Sequence, residues 1–381
     1  MPQCFVEWRA QRLDDPIARL SYLHRRLGPG SVRPPRRRRS WKALSLLPAL
    51  GCFLIPGFKA SNTTEELPPP PVSHIALASG GVETFANVWL VEKNGDFETY
   101  SNGLRIDDRY AISNEPRKPY SVFRRSQIDP SHPELRAQPA GIVYHTTESD
   151  QASFEQDHNA ALKRIGKEVL SFVKHNHCYH FLIDRFGQVF RIVEESDVAY
   201  HAGNSVWADA GAVYVNLNTS FLGVAFETQT QPGETPSANP AQIHAARVLT
   251  QMLRAKYRIP ESNCVTHAQV SVNPDYMLVG YHTDWAANFP FLEVGLNDNY
   301  AAPVASIYTF GFDYNAIFVH ATGWRLWQGL ALAEDQLRAE AASQGVTLKR
   351  YRSLLREQYQ QIVTMIKTTS DKESTEVRHG T

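Results

Sequence analysis

From Gly141 to Tyr257 the chain alternates short apolar runs with two stretches of helical periodicity, and this alternation limits its possible folds more than any other feature. Ile142-Val-Tyr144 reads as a short buried strand ending at His145. Residues 152–174 follow with Ala161, Ile165, Val169 and Phe172 at helical spacing. Two strands, 179–184 and 188–193, are joined around Phe186-Gly187, and another spans 221–228. A second helix, 240–257, has Ile243, Ala246, Leu249 and Leu253 on one side and Pro260 beyond its end. Strands alternating with helices predict an α/β fold, a central mixed β-sheet flanked by helices.

The flanks differ in texture. Residues 75–135 predict a small β-rich region, because Asn94-Gly95 separates two β-prone runs and is a strong hairpin signal. Residues 136–300 hold the α/β domain. Residues 301–367 predict a strand-like piece, Ser306 to Val319, then helices over 324–342 and 347–367, separated by Gly345. Leu348, Tyr351, Leu355, Tyr359, Ile362 and Ile366 make an apolar stripe on the last helix, a packing face. The polar tail, 368–381, is expected to be disordered.

The formal charge of zero hides an asymmetry. Residues 1–42 hold 11 of the 39 Lys+Arg but 3 of the 39 Asp+Glu, leaving 28 basic against 36 acidic residues in the rest. An acidic body gives no electrostatic reason to bind nucleic acid. The run Arg36 to Arg39 instead precedes an uncharged stretch, 43–58, so residues 1–59 read as an export leader. Broken by Pro48 and Pro56, the stretch falls short of the roughly 20 apolar residues a transmembrane helix needs. Ala49-Leu-Gly-Cys52 resembles a lipoprotein cleavage box, which makes Cys52 a candidate lipid anchor in a periplasmic or envelope-associated protein. Residues 60–74, with Pro68 to Pro71, form a stiff linker. Cys178 and Cys264 are a possible pair, and no Cys-x-x-Cys spacing exists to build a thiolate-rich zinc site.

The chemistry-bearing residues fall into ordered blocks. These are Val143-Tyr-His145-Thr-Thr, Tyr179-His-Phe-Leu-Ile-Asp184-Arg-Phe-Gly, Ala199-Tyr-His201-Ala-Gly, Leu222-Gly223-Val-Ala-Phe-Glu227, and Thr266-His267 followed by His282-Thr-Asp284. Two imidazoles and a carboxylate from separate segments suit a hydrolytic zinc ion with an open coordination position. A single histidine is more often a satisfied core or surface residue, and His158, His175, His177, His180 and His244 are set aside on that ground.

In this order the blocks resemble the zinc-dependent N-acetylmuramoyl-L-alanine amidase family over residues 141–292. The resemblance implies Zn2+ held by His145, His267 and Asp284, a peptidoglycan or muropeptide substrate, and cleavage of the amide between N-acetylmuramic acid and L-alanine. Tyr179 matches the tyrosine that one branch uses for proton transfer. Glu227 stands two residues beyond the glutamate position of another branch, which Ala225 fills here, and on the same face. His282 takes the place of a common lysine and is expected to stabilise the oxyanion. His201 is expected to contact substrate. The interval from His267 to Asp284 is longer than the family leads one to expect, so Ser271 to Val279 must bulge away; Asn273 within it is the rival to Asp284 as a ligand, although a neutral amide is a poor ligand for zinc. Two other readings stay open: a non-catalytic peptidoglycan-binding protein, and a zinc hydrolase of another amide.

Overall fold

The computed structural model describes residues 83–230, 237–315, 318–319 and 325–379. The expected leader, with Cys52, and the linker 60–74 lie outside these residues. Ten of the strands are β1 Leu90–Lys93, β2 Phe97–Tyr100, β3 Arg105–Asp107, β4 Tyr120–Arg124, β5 Glu134–Arg136, β6 Gly141–Thr146, β7 Phe181–Ile183, β8 Val189–Arg191, β9 Val206–Ala208 and β10 Ala212–Val215. The others are β11 Phe221–Phe226, β12 Cys264–Thr266, β13 Val272–Asn273 and β14 Leu278–Val279. The helices are α1 Asn159–His175, α2 Leu217–Ser220, α3 Pro240–Tyr257, α4 His267–Val270, α5 Phe291–Val294, α6 Ala305–Phe310, α7 Trp327–Ser343 and α8 Leu348–His379.

The central sheet has eight strands in the order β1-β2-β3-β8-β7-β11-β6-β12. It is mixed: β7, β11, β6 and β12 run parallel, whereas β7 with β8 and the β1-β2-β3 meander pair antiparallel. A smaller antiparallel sheet has the order β5-β4-β10-β9. The described part of the expected β-rich region, 83–135, is therefore no separate layer. The Asn94-Gly95 hairpin extends the central sheet through β3 and β8, and β4 and β5 complete the smaller one.

Alternation along β6 divides the interior. Tyr144 turns toward α3, where its hydroxyl meets Thr250 at 2.8 Å and its ring stacks on Phe289. On the opposite side, α1 packs Ile165, Val169 and Val173 against Leu182, Phe190 and Ala225. Helix α3 starts where the sequence says it should: Pro240 opens it, and Asn239 and Gln242 form a reciprocal capping box.

Two expectations at the C-terminus need correction. The strand-like piece from Ser306 contains helix α6, because its apolar residues pack against α7 and α8 instead of joining a sheet. Helix α8 continues to His379, so it takes in most of the tail expected to be disordered. The apolar stripe does pack inward: Tyr351, Tyr359 and Ile362 are buried, with Tyr359 against Phe310 and Phe312. Among the described residues no helix is long and apolar enough to cross a membrane. Cys178 and Cys264 are both free thiols, and burial pushes each up to about 12.

Candidate metal centre

Adjacent parallel strands β6 and β12 deliver the two histidines. His145 is the penultimate residue of β6, and His267 is the first residue of α4, directly after β12. Carboxyl ends of parallel strands are where open α/β sheets place their ligands. A capping box of Thr266 and Gln269 fixes the turn into α4, with Thr266 N–H donating to Gln269 Oε1 at 2.9 Å. Asp284 arrives from the loop after β14. Ala268 N–H donates to its carbonyl, and the buried Trp285 beside it packs on Phe226 and Phe289.

One donor atom each from His145, His267 and Asp284 lies within 4.8 Å of the others, and all three residues are buried. The partners of the imidazoles assign their protons. The Phe221 carbonyl can only accept, so His201 Nε2–H donates to it at 3.3 Å and His201 Nδ1 is left as an acceptor. His145 Nε2–H then donates to His201 Nδ1 at 3.1 Å. His267 Nε2–H points at the Ala202 carbonyl at 3.4 Å. Both Nδ1 lone pairs therefore face the Asp284 carboxylate, at 3.1 Å from His145 and 2.9 Å from His267. Three acceptors converge with no hydrogen among them, an arrangement that a divalent cation resolves.

The electrostatics of these protein groups by themselves bear on charge and not on tautomer. Burial, with His267 nearby, pushes His145 down to about 4. Burial would raise the Asp284 carboxyl, but His267 and His145 hold it well below the usual carboxylate range. A neutral imidazole and an ionised carboxylate are the forms a metal needs, and His145 and Asp284 hold them. The donor set fits zinc with one open position.

The remaining expected residues separate by position. Tyr179 precedes β7 instead of lying within it, and adopts the left-handed region at φ 61. Its ring centroid is 5.0 Å from that of His145. Strain of this kind persists only where the surroundings over-determine it. His282 stacks on His267, with centroids 4.4 Å apart and planes 20° apart, and burial pushes it down to about 3. It is thus a neutral donor, not the cation that would make a stronger oxyanion partner.

Glu227 continues β11 on the α1 side. Its carboxylate accepts from Arg185 N–H at 3.3 Å and faces Gly166, while burial pushes it up to about 7. His201 is a correction. It is 7% exposed, has both ring nitrogens bonded within the protein, and lies so close under Gly223 that a Cβ there would come within 2.6 Å of its ring. It backs His145 and presents no free edge to substrate. Asn273 also leaves the ligand group: its Oδ1 caps Asp275 N–H in the β13–β14 turn.

Sequence reasoning passed over Glu148. Three residues after His145, its carboxylate accepts from the Thr146 hydroxyl and from both N–H and hydroxyl of Thr230. Burial raises it, and Asp284 adds to the rise. The one available signal was its place just past a strand-end histidine. His180, set aside as structural, is satisfied by Gly223 N–H and the Asp197 carbonyl.

A family model described as N-acetylmuramoyl-L-alanine amidase matches residues 135–284. The curated N-acetylmuramoyl-L-alanine amidase AmiD of Escherichia coli is 27% identical over 164 residues, 40% of this chain and 51% of that protein. The chain thus spans about half the length of the curated relative it matches. Among solved structures, E. coli AmiD with the substrate anhydro-N-acetylmuramic acid-L-Ala-D-gamma-Glu-L-Lys is 19% identical, covering 63% of this chain and 89% of that one at a TM-score of 0.35. AmpDh3 of Pseudomonas aeruginosa in complex with anhydromuramic pentapeptide is 22% identical, covering 41% and 58% at a TM-score of 0.31.

Proposed function

We propose, from the premise that residues 135–284 belong to the N-acetylmuramoyl-L-alanine amidase family, that the protein is a zinc-dependent hydrolase of the amide between N-acetylmuramic acid and L-alanine. Its substrate is peptidoglycan or the muropeptides released from it. The bond is taken from the family. The observation that carries zinc dependence is the gathering of one ligand atom each from His145, His267 and Asp284 within 4.8 Å of one another.

His145, His267 and Asp284 would hold the ion, which would polarise the amide carbonyl and lower the pKa of attacking water. The chain's own groups do the rest. His201, through His145 Nε2, keeps the Nδ1 lone pair turned inward. His282, stacked on His267, is placed to donate an N–H to the carbonyl oxygen as negative charge develops there. Tyr179, against the His145 ring, is the group we assign to proton transfer toward the leaving amine. Glu227, engaged at Arg185, is the rival for that role.

The basic run before an uncharged stretch supports export to the cell envelope, and Ala49-Leu-Gly-Cys52 supports a lipid anchor at Cys52. The function is tested by zinc content together with hydrolysis of a defined muropeptide. Wild-type protein retains about one zinc and cleaves; His145→Ala loses both. Equal metal content and equal rates in the two proteins would remove the basis of the proposal.

A further inference from the structure

The long interval between His267 and Asp284 is occupied by the β13–β14 hairpin, which is tied to the C-terminal helices. Leu278 bridges Asp313 in parallel register. Val279 N–H donates to the Asp313 carbonyl at 2.7 Å, and Asp313 N–H donates to the Met277 carbonyl at 2.8 Å. The Asp313 carboxylate is gripped from α8: Arg352 reaches Oδ1 and Arg356 reaches Oδ2, each at 2.5 Å. Both guanidinium groups also hold the chain before Asp313, at the Phe312 and Gly311 carbonyls, 2.8 Å each. Arg352 is held in turn by Glu334 of α7 at 2.7 Å.

From the hairpin the contacts run inward. Gly280, at φ +81, lies against the Phe318 ring, and its N–H donates to the Ser271 carbonyl at 3.0 Å. Ser271 Oγ accepts from His282 N–H at 3.0 Å, and Ser271 N–H donates to the His267 carbonyl at 2.9 Å. Unbroken pairing thus links α8 to the loop that bears His267, His282 and Asp284. A hairpin of two-residue strands has too few bonds of its own to fix that loop.

We propose that the C-terminal helical pair clamps the metal-bearing loop, with Asp313, held by Arg352 and Arg356, as the positioning residue. The inference rests on the metal reading above, and the test keeps the two apart. Full-length wild type, Asp313→Asn and Arg352→Gln are compared by amide hydrogen exchange without metal and by zinc competition against a chromophoric chelator. The clamp predicts faster exchange across 277–283 in both variants, with β6 and β11 unchanged. It also predicts zinc affinity weakened between about two- and thirtyfold, the span of such remote couplings. Unchanged exchange across 277–283 would overturn it, and so would a rise shared equally by β6 and β11. Should wild type bind no zinc, the metal reading falls and the exchange arm still decides the clamp. If Asp313→Asn does not fold, Arg356→Gln, which leaves Arg352 in place, carries the same comparison.

Discussion

Tyr179 and Glu227 are separated by what surrounds them. The tyrosine ring abuts His145, a proposed ligand, from a left-handed backbone position, whereas the glutamate is bonded to Arg185 N–H and faces α1. Tyr179→Phe is expected to lower kcat by about 100-fold with little change in KM, the usual range for a lost proton donor. Glu227→Gln is expected to retain most activity. Steady-state kinetics on one muropeptide decide between them; the reverse pattern would transfer the role to Glu227. Glu227 has its own signature in stability. Burial raises its folded pKa to about 7 from the 4.5 of the free group, so the fold favours the protonated form. Stability from this group is present below about pH 4.5 and falls as pH rises toward 7. Glu227→Gln should flatten the decline of Tm between pH 5 and 8, and an unaltered slope would contradict the burial argument. The grouping of His145, His267 and Asp284 was legible at this scale because residue type and order carried it. The internal bonds of His201 and Glu148 were not legible because they depend on the Phe221 carbonyl and on Thr230, which sequence spacing does not bring near.

At the scale of elements, periodic segments were readable and short apolar ones were not. Helix α3 has strong terminal signals, and it begins and ends where the periodicity and capping residues indicate. The piece from Ser306 offered only a short apolar run, which fits a buried strand or a buried helix equally well. Contacts with α7 and α8 decide it, and these lie beyond local sequence. The bulge between the ligands was foreseen, but its hairpin form and its attachment to Asp313 were not, since the partner lies in a separate segment. Gly280 is where that hairpin turns back to the site. Gly280→Ala would meet both an unfavourable positive φ and the Phe318 ring. We expect a loss of about 1–3 kcal/mol in denaturant unfolding, accompanied by weaker zinc binding. Wild-type values in both would show that the turn is freer than its geometry implies.

Across the whole molecule, the β1-β2-β3 meander belongs to the same sheet that carries His145, and a buried charge cluster binds it there. Arg191 of β8 reaches Glu98 at 2.8 Å, Asp108 at 2.5 Å and Glu195 at 2.9 Å, with all four side chains largely out of solvent. Arg191→Leu would strip Asp108 of its guanidinium partner and leave Glu98 with Lys93 alone, at 2.8 Å, and Glu195 with Lys256 alone, at 3.0 Å, at a cost of roughly 3–5 kcal/mol. Urea unfolding should show it, and a loss below about 1 kcal/mol, the level of a surface pair, would mean the cluster is solvated. The sequence marked this region as β-rich but not as part of the central sheet, because the pairing of β3 with β8 joins residues far apart in the chain. The proposed function sets all of this scaffolding around the cleavage of one bond. Purified peptidoglycan is digested with metal-replete protein, with and without a chelator, and the products are read by mass spectrometry for new L-alanine amino termini. The account predicts such termini in the metal-replete digest and none with chelator. Absence of these termini from the metal-replete digest, or their persistence under chelation, would contradict it.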